Sequence, residues 1–104
     1  MDIKKEIKKI DEIQFTVFSI DENDLHFSDA GDLKKAINYE ITKGNINLAI
    51  DLNSFNTISS SGLGILIGCL KIVNSANGKL KLLNVNEKIF NIFKITKLHQ
   101  IFEL

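Results

Sequence analysis

The sequence predicts an α/β fold with a largely parallel sheet centre, and three observations predict it. Short apolar runs with the look of strands recur at residues 13–20, 46–52 and 79–85. Helical spacing fills the gaps between them, over about 29–43 and 60–76. A glycine signal closes each of those helices, Gly44 after the first and Asn77-Gly78 after the second. Strands alternating with helices in this way are expected to be joined by right-handed crossovers.

The elements follow in order. Ile3, Ile7 and Ile10 are spaced like one helical face, while the lysines between them also suit an edge strand, so both forms stay open. Ile13, Phe15 and Val17 alternate with Gln14 and Thr16 as a half-buried strand does. Phe18 and Ile20 then shift the phase by one, which asks for a bulge or for burial on both faces. Ser28 or Asp29 can cap the first helix, whose core face carries Leu33, Ile37 and Ile41. INLAIDL, residues 46–52, has the compactness of a buried strand. The second helix carries Leu63, Leu66, Ile67, Leu70 and Val73 on one face, with Ile65, Cys69 and Ile72 widening it. KLKLLNV, residues 79–85, is the next strand; Asn86 caps a short helix; and the tail HQIFEL is expected to be a final strand.

Composition limits the function. At 104 residues the chain is expected to be one domain, 1–104, large enough for one core. All 13 basic residues are lysine and the net charge is zero. Forked arginine contacts to phosphates and base edges are therefore absent, which argues against direct nucleic-acid binding. Seven carboxylates and no lysine lie between Asp11 and Leu33, a solvated surface or one suited to a basic partner. No apolar run reaches the ~20 residues of a membrane span, and the N-terminus has no signal-peptide core, so no membrane insertion and a cytoplasmic protein are expected. The single Cys69 excludes an internal disulfide, and His26 and His99 stand 73 positions apart, so no metal or other cofactor is expected.

The stretch TISSSGLGIL, residues 57–66, concentrates the chemistry. Ser59 or Ser60 can serve as a helix N-cap. A serine hydrolase needs GxSxG, but Thr57 or Ile58 stands where its first glycine belongs. A phosphate-binding loop needs GK[ST], and SSSGLG lacks it. Asp51, near a strand end, lacks the paired acids that a receiver-type phosphoacceptor requires. A phosphorylated serine remains, since a helix N-terminus favours anions. Gly64 and Gly68 lie one turn apart, each costing ~1 kcal/mol of helix propensity against alanine, which suggests close approach of another backbone.

Residues 46–102 resemble the STAS domain, specifically the anti-sigma-factor antagonists. The motif is a buried strand, a loop and then D-S-S-G-L-G opening a helix; here SSSGLG matches it, with Ser59 in the aspartate's place. The resemblance implies a mixed, centrally parallel sheet of about four to five strands with helices mainly on one face. It implies that Ser60 is phosphorylated, with Ser59 and Ser61 as alternates. It also implies that Asn56, Thr57, Ser59, Ser60, Ser61, Gly62, Gly64, Ile65 and Gly68 meet the partner.

That partner is expected to be a serine-kinase anti-sigma factor, bound when the serine is free and released when it is phosphorylated, with a phosphatase as the reset. The domain itself is expected to catalyse nothing. The alternative is a STAS scaffold that works unphosphorylated in a stress-signalling, motility or transporter-accessory complex; a weak homodimer is compatible with either. Lys97 stands where the family often has glycine. Many members also continue into a further C-terminal helix, leaving the first ten residues as candidates to cover the sheet here.

Overall fold

The computed structural model describes residues 3–21 and 30–104. The elements run β1 (Ile3–Ile10), β2 (Ile13–Ile20), α1 (Ala30–Thr42), β3 (Asn47–Asp51), α2 (Ser60–Ser75), β4 (Lys79–Leu83) and α3 (Glu87–Ile95). The sheet has the order β1-β2-β3-β4. β2, β3 and β4 are parallel, and β1 closes one edge antiparallel to β2.

The N-terminal segment is thus the edge strand. A helix would have buried one isoleucine stripe; the strand instead leaves Ile7 65% exposed and pairs every residue with β2. Asp11 and Glu12, both at positive φ, make the two-residue connection, the geometry that matches the twist of a hairpin. The register from Ile3↔Ile20 to Ile10↔Ile13 is unbroken, so the phase change in β2 reflects burial on both faces and no bulge.

On one face, Phe18, Leu48, Ile50, Leu80 and Leu82 meet Leu33 and Ile37 of α1, Leu66, Cys69 and Val73 of α2, and Ile89 and Phe93 of α3 in the main core. On the other face, Phe15, Val17 and Ala49 form a small second cluster, fully buried, with Ile10 and Leu83 beside it. Lys81 sets its ammonium 5.6 Å from the Phe15 ring centroid, a long side chain lying over an apolar surface with its charge in water. Residues 3–10 flank the sheet and do not lie across this face.

Each helix ends in the same way. The amides just past α1, α2 and α3 bond back to Glu40, Val73 and Phe93, and the turning residue has positive φ in each: Gly44 at 87°, Asn77 at 59°, Lys97 at 62°. Gly78 is needed for a different reason. A Cβ there would stand 2.2 Å from the Ile46 carbonyl oxygen, so only glycine lets the end of α2 pass the start of β3.

The cap of α1 at Ser28 or Asp29 lies outside the described residues, as do His26 and part of the acidic stretch. The tail is not a strand: residues 96–103 fold back in consecutive turns. Lys97 reverses the chain, Phe102 N–H donates to the Leu98 carbonyl and Leu104 N–H to that of His99. Phe102 is the one fully anchored residue, packed edge-on against Phe93 at 5.6 Å between centroids. Phe102 is buried, and Leu98 and Leu104 pack partly buried against the same core, but they do so from successive turns and without a strand partner.

Candidate functional site

The loop from Leu52 to Ser59 connects β3 to α2 and is held at several points. Leu52, Phe55 and Ile58 point into the core. Asp51 Oδ1 accepts from the Asn53 amide and from Asn84 Nδ2, both at 2.9 Å, tying the ends of β3 and β4 together. Its carboxylate is a structural acceptor, in keeping with the missing acid pair. Asn86 caps α3 by accepting from Ile89 N–H at 2.8 Å, and its Nδ2 donates to the Phe55 carbonyl at 2.9 Å. One side chain therefore fixes both a helix start and the loop beside the serines.

Ser59 is the N-cap of α2. It has extended φ and ψ, its Oγ accepts from Gly62 N–H at 3.1 Å, and its carbonyl accepts from Leu63 N–H at 2.9 Å. This is the work an aspartate does at the same position, so the departure from D-S-S-G-L-G keeps the cap and loses the charge. Ser60 and Ser61 follow in the first helical turn and are exposed. α2 has no acidic residue in that turn, leaving its positive end uncompensated by its own side chains.

The remaining candidates separate by depth. Asn56 and Gly64 are exposed, Thr57 and Gly68 are half-buried, and Gly62 and Ile65 are buried. A Cβ at Gly64 would meet nothing within 4 Å, so no internal contact requires glycine there. At Gly68 a Cβ would lie 3.1 Å from Cε and Nζ of Lys34, so that glycine seats a side chain of α1.

Ser60, Ser61, Gly64 and Ile65 line an open groove of about 410 Å3 whose other wall is Ala30 and Lys34. Lys34 was not among the residues expected at the site. Nothing in its local pattern distinguishes it from the other lysines, and only the packing of α1 on α2 brings it there. Beneath the groove Cys69 is fully buried; burial pushes its thiol up to about 11, with the Lys34 charge a smaller opposing influence. It is a core side chain and a poor nucleophile.

Among the described residues no helix is long and apolar enough to cross a membrane. A family model for the STAS domain matches residues 4–104. An anti-sigma-B factor antagonist of Listeria monocytogenes is 32% identical over 104 residues, covering 100% of this chain and 90% of the relative. The crystal structure of a Thermotoga maritima protein described as a candidate anti-sigma factor antagonist superimposes with a TM-score of 0.68 at 27% identity, covering 93% of this chain and 81% of that one. The phosphorylated form of the Bacillus cell fate determinant SpoIIAA shares the fold, with a TM-score of 0.63 at 16% identity over 93% of this chain and 86% of its own.

Proposed function

The chain belongs to the STAS-domain family, and from that premise we propose that it is an anti-sigma-factor antagonist, switched by phosphorylation of Ser60. Residues 1–104 act as one cytoplasmic domain. Unphosphorylated, it binds a serine-kinase anti-sigma factor through the Ser60 loop and the exposed stripe of α2. That kinase, supplied with ATP and magnesium, modifies Ser60 and lets go, and a phosphatase restores the hydroxyl.

The observation that carries this reading is the division of labour among the serines. Ser59 is engaged as the helix cap, whereas Ser60, next in line, is exposed at the positive end of α2. A phosphate there adds about −1.5 to −2 charges at neutral pH, without disturbing the cap. Desolvating such a group against a surface shaped for a hydroxyl costs several kcal/mol, and ~4 kcal/mol already weakens binding ~1000-fold.

The test uses the purified chain and the kinase-type anti-sigma factor. Ser60→Ala should bind as wild type does, take up no phosphate and resist ATP-driven release. Ser60→Asp should bind at least ~10-fold more weakly, the effect of an unmatched charge at a close interface. Mass spectrometry of the chain from its own cells should find phosphate on Ser60. Phosphate on Ser59 alone, or equal binding by both variants, overturns the assignment.

A further inference from the structure

Resting on the proposed modification of Ser60, we infer that Lys34 is the cation the phosphate claims, so that phosphorylation closes the groove between α1 and α2 from within the chain. Lys34 and Ser60 stand on opposite walls of that groove. Lys34 is half-buried, with its Cε and Nζ laid over Gly68. The ion pairs among the described residues engage Lys5, Lys8, Lys43 and Lys81, and Lys34 takes part in none of them. Elsewhere on the two helices the nearest charges in sequence are Asp32 and Lys35 on α1 and Lys71 on α2. Ser60 has no charge of its own to offer Lys34 until it is modified.

Ser60, Gly64 and Gly68 succeed one another at four-residue spacing, so the ammonium at Gly68 stands about 12 Å along the helix from Ser60. A lysine is a point charge on a flexible stem. Its path back toward Ser60 crosses Gly64, where nothing stands within 4 Å of the open Cβ position. A helical side chain leans toward the N-terminus of its helix, so a phosphate on Ser60 stands at the far end of the groove and the lysine stem travels to it. The stem then lies across Gly64, and the space proposed to receive a partner is filled by the chain's own ion pair. Release of the partner follows from occupation of the groove as well as from added charge.

The isolated chain with phosphoserine installed at position 60 during translation supplies the test, read by 31P NMR titration of the phosphate. A neighbouring cation favours the dianion. Lys34→Gln should therefore raise the second phosphate pKa by about 0.5 relative to the phosphorylated parent at low salt. Lys34→Arg should restore the parent value, Lys35→Gln should leave it unchanged, and 1 M salt should shrink the difference. Identical titrations for the parent and Lys34→Gln overturn the inference. Because this readout needs neither kinase nor partner, it stands or falls separately from the function. If no anti-sigma factor responds to the phosphate while Lys34 still lowers its pKa, the functional proposal fails and the ion pair remains.

Discussion

The ammonium of Lys5 on the edge strand β1 donates to Oε2 of Glu40 on α1 at 2.9 Å, although the Glu40 side chain is only 3% exposed and that of Lys5 is 43% exposed. Glu40 Oε1 accepts from Asn45 Nδ2 at 3.0 Å, and Lys43 stands 4.0 Å from Oε2. Burial alone would raise the pKa of this carboxyl. The hydrogen bonds from Lys5 and Asn45 and the charges of Lys5 and Lys43 outweigh it, holding the group below the ordinary glutamate value of 4.5. Because the folded pKa is depressed, the stabilisation is complete above the unfolded value and disappears as pH falls through the folded one. Lys5→Met should cost about 1–2 kcal/mol in urea unfolding at pH 7. The gap between parent and variant should close as pH is lowered from about 5 to 3; a gap of the same size at pH 3 would refute the ion-pair account.

Cys69 offers a test of core integrity. Its thiol, pushed up to about 11 and fully buried, has a thiolate fraction on the order of one in a thousand at pH 8 even before access is considered. Alkylation by iodoacetamide should therefore be slow in the native chain and rapid in urea. Labelling in native buffer at the rate of a free peptide thiol would show that α2 does not pack as described.

Much of this architecture was legible because it rests on local chemistry. Asn86 announces α3, Gly44 ends α1, and the serine run marks the mouth of α2, each through hydrogen bonds made within a few residues. The features that were not legible depend on partners distant in sequence. Glu40 has the appearance of a surface residue in its helix, and it is buried only because Lys5 comes across from β1. Lys34 enters the site only through the packing of α1 against α2. The tail failed as a strand because Phe102 is anchored by Phe93, a contact that neither alternation nor propensity encodes. Propensity also missed the reversal at Lys97, since lysine gives no warning of a left-handed turn.

That reversal makes a prediction of its own. Lys97 holds φ 62°, a region that costs a residue with a Cβ roughly 1–2 kcal/mol and glycine almost nothing. Lys97→Gly should stabilise the fold by about 0.5–1 kcal/mol, after subtracting the larger unfolded-state entropy of glycine. In a chain of this size that is a rise in Tm of about 3–6 °C. An unchanged or lower Tm would mean that the Lys97 side chain contributes a contact worth as much as the strain.

The glycines give the sharpest contrast, because three alanine substitutions in and beside one helix should have different outcomes. At Gly78 the new Cβ would meet the Ile46 carbonyl oxygen at 2.2 Å, a backbone atom that cannot step aside, so Gly78→Ala should destabilise by about 2 kcal/mol or more. At Gly68 the obstacle is the flexible end of Lys34, which can move, so Gly68→Ala should sit near neutral as lost seating offsets gained helix propensity. Gly64 is open, and Gly64→Ala should raise stability by about 0.5–1 kcal/mol. The same methyl should weaken binding of the anti-sigma factor by about 1–3 kcal/mol, roughly 5- to 150-fold, if a partner's surface closes on that point. Urea unfolding and calorimetric titration on the same three samples check both halves. A Gly64→Ala chain that is more stable yet binds as tightly as the parent would remove the exposed stripe of α2 from the docking surface and leave the Ser60 loop to carry it.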